Sequence, residues 1–133
     1  MFPRLQNGGN LMTIMEAINL LDAIKPNSYK QTEKIRWLAT LDGIVKEEII
    51  DTHEGGEAVT FEGYTENSLM QELLVPHPYD DIYIKWLEAQ IDYANGEYNK
   101  YNNSITVYNK AFADFERYYN RMHMPIGQKF KYF

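Results

Sequence analysis

Apolar and aromatic residues recur through the second half of the chain at Ile84, Leu87, Ile91, Ala94, Tyr98, Tyr101, Ile105, Tyr108, Phe112, Phe115, Tyr119 and Met122. The steps alternate three and four, which puts all of these side chains on one helical face; a strand would need a period of two. Asn95-Gly96 interrupts the stripe, and Gly after Asn stops helices because Gly enters the left-handed cap conformation without a Cβ clash. An unbroken helix over Ile84 to Met122 would be about 58 Å long. A compact domain of this size is only roughly 35 Å across. The expected form is therefore a break or sharp bend at Asn95-Gly96, giving two helices folded back on each other. The alternative is a single rod covered by partner subunits.

The first half of the chain predicts two more helices. Thr13 and Glu16 have the spacing of a capping box, in which each side chain satisfies the other's backbone N–H. Ile14, Ile18, Leu21 and Ile24 then share a face, and Lys25-Pro26 stops the helix. Ser28 and Gln31 repeat the capping-box spacing ahead of a longer helix, whose inner face is Ile35, Leu38, Leu41, Val45 and Ile49 and whose end falls near Asp51 or Thr52. Gly43 within it costs roughly 1 kcal/mol against Ala and predicts close helix packing. From His53 to Pro78 the periodicity is lost. Glu54-Gly55-Gly56-Glu57 reads as a turn, Val59 and Phe61 alternate with polar neighbours as in a short strand, and Asn67-Ser68 can cap one helical turn reaching Leu73. A loop this long in a compact domain is commonly functional or disordered.

After Pro76-His77-Pro78, the acids Asp80 and Asp81 suit the positive end of a third helix. Tyr83, Trp86 and Tyr93 add a second apolar line there, so this helix is expected to be buried on two sides and central. The fourth runs from Glu97 to about His123 and combines its Tyr and Phe stripe with Asn99, Asn102, Asn103, Asn109 and Asn120. The fold class expected is all-α: a bundle of about four helices with a long loop, carrying a short strand, between helices two and three. Residues 1–12 form a flexible lead-in, 13–125 a single helical domain and 126–133 a C-terminal tail.

Charge and composition narrow the function. The 133 residues carry a net charge of −6, which argues against a dedicated nucleic-acid binder but not against a wall past which DNA slides. There is no Cys, so disulfides, thiolate metal sites and cysteine nucleophiles are excluded. Residues 1–11 lack the continuous apolar core of a signal peptide, and no run approaches the ~20 apolar residues of a membrane span, so no membrane partner is expected. No Glu-x-x-His pair of the di-iron kind is present, and neither a P-loop, a dinucleotide fingerprint nor a Gly-x-Ser-x-Gly elbow occurs. His53, His77 and His123 are scattered between a loop, a linker and a helix end. Glu88 and Asp92, four apart, read as a solvated face. No catalytic residue, metal or cofactor is expected.

What the pattern does offer is contact surface. Tyr is amphipathic, rigid and enriched at interfaces, and Tyr118 and Tyr119 are adjacent and cannot both face one core. Tyr101, Tyr108, Tyr118 and Tyr119 are therefore candidates for an oligomer interface. The positions flanking the stripe lack opposed charge ladders, against a free-standing two-stranded coiled coil. The tail Lys129-Phe130-Lys131-Tyr132-Phe133 alternates basic and aromatic side chains on the two sides of an extended strand. It is a candidate for docking on a partner, by strand addition or by filling apolar pockets, or for folding back on its own subunit.

The chain resembles small head–tail connector (adaptor, or head completion) proteins from prophages and long-tailed phages of low-GC Gram-positive bacteria. The residues that carry the resemblance are Lys25-Pro26-Asn27, Lys34-Ile35-Arg36-Trp37-Leu38, Leu41-Asp42-Gly43, Leu73-Leu74-Val75-Pro76, Pro78-Tyr79-Asp80, Trp86-Leu87-Glu88-Ala89, Ile91-Asp92-Tyr93-Ala94-Asn95-Gly96-Glu97, Tyr101-Asn102-Asn103 and Asn120-Arg121. Together they lie within roughly residues 13–125. The resemblance implies a helical subunit that assembles as a homo-oligomeric ring on the portal protein, prolongs the DNA channel and offers a platform to tail-side connector proteins. It implies non-specific passage of duplex DNA, residence in the host cytoplasm during assembly, and then a place in the virion at the head–tail interface. The alternative from the residues alone is a small helical protein-binding or regulatory module acting as a dimer.

Overall fold

The computed structural model describes residues 11–126. The first element is a strand, β1 (Leu11–Thr13), and the chain passes directly into α1 (Ile14–Ile24). The Thr13–Glu16 capping box forms in full: Thr13 N–H donates to Glu16 Oε1 (2.9 Å) and Glu16 N–H to Thr13 Oγ1 (3.1 Å). Helix α2 (Gln31–Val45) runs on into one π-helical turn (Lys46–Ile50), close to the predicted end. Its start corrects the sequence reading, because the expected Ser28–Gln31 box is not made; the N-cap is Lys30, with no side-chain cap. Asn27 organises the approach instead, accepting from Tyr29 N–H (3.0 Å) in a local turn.

The long connection is where expectation and structure differ most. No strand forms at Val59–Phe61 and no helical turn at Asn67–Ser68; the ordered elements are a short 3₁₀ turn (Gly56–Ala58) and strand β2 (Glu72–Pro76). β2 pairs antiparallel with β1, Leu11 opposite Pro76 and Thr13 opposite Glu72. The fold is therefore mostly helical with a two-stranded sheet, not all-α, and Leu11 and Met12 belong to the sheet rather than to a lead-in. The π-helical end of α2 and the 3₁₀ turn touch at Gly56, where an added Cβ would lie 2.3 Å from the Ile50 carbonyl oxygen. Gly43, by contrast, faces loop residue Phe61 at an ordinary 3.8 Å, not another helix.

Helix α3 (Asp81–Ala94) and helix α4 (Tyr98–Met122) are separate, with the break where it was expected. Gly96 has φ +74°. Gly96 N–H donates to Tyr93 C=O (2.9 Å) and Glu97 N–H to Asp92 C=O (3.0 Å), the paired bonds of a Schellman cap. The two helices then pack against each other along their length. Helix α3 also packs on α1 and α2, so it is the central helix. Of the residues that the sequence pattern places on inner helix faces, Ile35, Leu38, Leu41, Val45, Leu87, Ile91 and Phe115 are buried, whereas Ile105 and Phe112 are only partly so. Ile24 and Tyr93, each placed on an inward face by the sequence pattern, are exposed.

Both turns between antiparallel helices meet at one end of the bundle. There Tyr29 Oη donates to Asn95 Oδ1 (2.5 Å), and Lys25 pairs with Asp92 (2.9 Å). The sheet, the start of α3 and the end of α4 gather at the other end, where Tyr79 stacks on Tyr118.

Candidate functional site

The carboxyl group of Asp42 is the most unusual one in the interior. It lies on the inner side of α2 and is fully buried, with no cation beside it. Three elements supply its donors. Tyr83 Oη on α3 donates to Oδ1 (2.6 Å), while Leu74 N–H on β2 (3.1 Å) and Tyr64 Oη on the long loop donate to Oδ2. Tyr83 Oη in turn accepts from Val75 N–H (2.7 Å). Burial pushes the Asp42 carboxyl up to about 6; the three hydrogen bonds pull the other way and only partly offset it. Burial, then the Asp42 charge, raise the phenols of Tyr64 and Tyr83 well above their ordinary range. Asp42 and Tyr83 are fully buried and Tyr64 half-buried, so the cluster ties the loop and the sheet to two helices.

A second cluster closes the sheet end. His53 is buried, its Nδ1 donating to the Ile49 carbonyl (2.5 Å) and its Nε2 facing Asn120 Oδ1 (2.7 Å). Tyr119 packs edge-on against its ring and stacks on His123. Two backbone bonds, Glu54 N–H to Met124 C=O (2.9 Å) and Ile126 N–H to Thr52 C=O (2.8 Å), fasten the chain after α4 to the end of the π-helical turn. Both histidines serve packing here. Among the described residues, no three His, Asp or Glu side chains come together in a form that could hold a metal ion.

The tyrosine candidates separate. Tyr101 lies half-buried in a cluster with Tyr93, near Tyr98, at the turn end of the bundle. Tyr108 is buried against Trp86 and Phe112, so little of its ring reaches the surface of the subunit. Tyr118 and Tyr119 both pack on the same core, correcting the expectation that they could not; Tyr118 rests on Tyr79 and Phe115, Tyr119 on Phe115 and His53. Each keeps part of its ring at the surface. The tail candidates Lys129, Phe130, Lys131, Tyr132 and Phe133 lie outside the described residues.

Asp92 corrects another expectation. It is buried rather than solvated, held by Lys25 near the turn end, while Glu88 sits nearer the surface beside Lys85. Asp22 and buried Lys34 form a second such pair (2.7 Å). Sequence reading missed Asp42, His53 and Asp92 alike. The signal was present only for Asp42, which falls between Leu38 and Val45 at core-facing spacing.

No helix among the described residues is long and apolar enough to cross a membrane. No family model, no curated protein and no solved structure matches the chain.

Proposed function

We propose that this chain is a structural head–tail connector subunit, assembling as a ring on a phage portal protein and prolonging the channel through which duplex DNA passes. The observation that carries the reading, beside the sequence resemblance, is the end-to-end polarity of the bundle. The sheet end presents exposed Met124 and Ile126. The opposite end presents the exposed rings of Tyr93 and Tyr98. A subunit with two chemically different ends suits a part that must hold a portal below one face and offer a tail-side protein the other.

The role is mechanical rather than catalytic, and it calls on no cofactor. An acidic protein lining a channel repels duplex DNA and lets it pass without sticking. In this reading the tail, Lys129 to Phe133, docks on the portal ring, its aromatic rings in apolar pockets and its lysines against acidic surface. The protein would reside in the host cytoplasm during assembly and afterwards in the virion. Deleting residues 128–133 tests this. The melting temperature of the isolated subunit is expected to stay within about 2 °C, while co-sedimentation with the portal ring is lost. A truncated chain that unfolds, or that still co-sediments, contradicts tail docking.

A further inference from the structure

Helices α2 and α4 run side by side in the same direction. Each begins at the turn end, and they meet at the sheet end, where His53 faces Asn120 and packs on Tyr119. Both pack on α3, but they approach each other closely only where the π-helical turn meets α4. A trough along α3 therefore lies between them. Its floor is Trp86, whose Nε1–H donates to the Trp37 carbonyl on one wall (2.8 Å) and whose ring lies against Tyr108 of the other. Trp37 and Ile44, seven apart on α2, share the flank of Glu48. Ile105 and Phe112, seven apart on α4, share the flank of Glu116 and Asn120. Burial, then the charge of Glu48 across the trough, raise the Tyr108 phenol. Trp37, Ile44, Trp86, Ile105 and Phe112 are all half-buried, so an apolar line stays open along the trough.

Three observations name its occupant. The first is direction. Pro125 bridges His53 antiparallel and Ile126 N–H donates to Thr52 C=O (2.8 Å), so the chain leaves Ile126 heading back toward the π-helical turn and α2. The second is reach. Residues 127–133, if extended, span about 23 Å, and the helical path from Thr52 back to Trp37 covers about 22 Å. The third is charge. Residues 47–84 hold no Lys or Arg. Glu48 and Glu116 are exposed on the two rims, with no ion pair among the described residues. Residues 127–133 carry Lys129 and Lys131 and no acid.

We propose that in the free subunit the segment Lys129–Phe133 lies in the trough between α2 and α4, Phe130 and Tyr132 on its apolar line and the two lysines at its acidic rims. An extended strand divides them in this way, with Phe130 and Tyr132 on one side and Lys129 and Lys131 on the other. The contact needs no partner, so it stands apart from the ring reading. It makes the tail self-inhibiting: rings held in the subunit's own trough reach a portal only when the portal competes for them. Ordering the tail offsets most of what two buried rings contribute, so docked and open tails lie near balance.

The chain's two tryptophans, Trp37 and Trp86, both line the trough, so their fluorescence reports its occupancy. Deleting residues 128–133 is expected to raise acrylamide quenching about 1.5-fold, since the cover is present roughly half the time. The chain has no cysteine, so a second readout uses introduced thiols in the full-length protein and is read even where the truncated chain does not fold. Asn109, between Ile105 and Phe112, borders the trough, whereas Asn103 faces away from it; both are exposed. Phe133→Cys with Asn109→Cys is expected to close within one chain, under a short bis-maleimide, about fivefold faster than Phe133→Cys with Asn103→Cys, because docking raises the effective concentration. Glu48→Lys with Glu116→Lys lowers that rate about threefold. Equal rates at Asn109 and Asn103 would mean a tail with no seat and overturn the proposal. Links between chains in place of internal ones would overturn it too, giving the trough to the tail of a second copy. Quenching unchanged by the deletion, in protein that still melts cooperatively, would overturn it and leave the trough to an unrelated partner.

Discussion

Helices α3 and α4 carry one three–four stripe whose phase continues across Asn95-Gly96, yet the structure buries them very differently. Seven of the fourteen residues of α3 are buried, against only Tyr108 and Phe115 among the twenty-five of α4. Helix α3 is enclosed by α1 and α2 on one side and α4 on the other. Helix α4 packs on α3 and, near its end, on the π-helical turn and His53, and leaves much of its remaining circumference to water. A stripe reports which side of a helix faces inward. How deeply that side is buried depends on how many other elements converge on it, and this is a property of the whole fold.

The sharpest way to break the comparison is to truncate stripe residues at different depths. Phe115→Ala, at a fully buried position, is expected to cost about 3–5 kcal/mol in chemical denaturation. Phe112→Ala on the same stripe is expected to cost less than about 2 kcal/mol, since its ring is partly exposed and leaves a smaller cavity. Equal losses would mean that the stripe, and not the surroundings, sets the depth.

The Asp42 cluster adds a pH dependence to the enclosed half. Its carboxyl, at about 6 against an ordinary 3.8, binds its proton more tightly folded than unfolded. The stability it contributes is therefore fully present below about pH 3.8 and is lost as pH rises through 6. Two units at 1.36 kcal/mol each amount to about 3 kcal/mol. Denaturation midpoints compared between pH 4 and 7 should show this component in the native chain and not in Asp42→Asn. An identical slope in both would place the titration elsewhere.

The smallest effect concerns the long connection. Amides of Glu72–Pro76, paired with β1, should exchange as slowly as those of α4. Residues 57–68, held chiefly by Tyr64 on Asp42, should exchange earlier than any helix. Protection there equal to that of α3 would show the loop to be part of the enclosed half.

Local signals carried much of this fold. The Thr13–Glu16 box, the stop at Lys25-Pro26 and the cap at Asn95-Gly96 depend on residues a few positions apart, and all three are made as read. The sheet was not legible because it joins residues some sixty positions apart, Leu11 with Pro76 and Thr13 with Glu72. The apolar run Leu73-Leu74-Val75 was its one local sign. Asp42 and His53 escaped for the same reason: a polar residue becomes part of a core only through partners such as Tyr83 and Asn120, far along the chain.

The central claim is that the chain is a ring-forming subunit seated on a portal. The mass of the complex formed with a portal ring, measured by native mass spectrometry across a titration, tests it most directly. The account predicts uptake to a full ring of copies, since every site around a symmetric portal is equivalent. A complex that saturates at one or two copies, or a chain that remains free at every ratio, contradicts it.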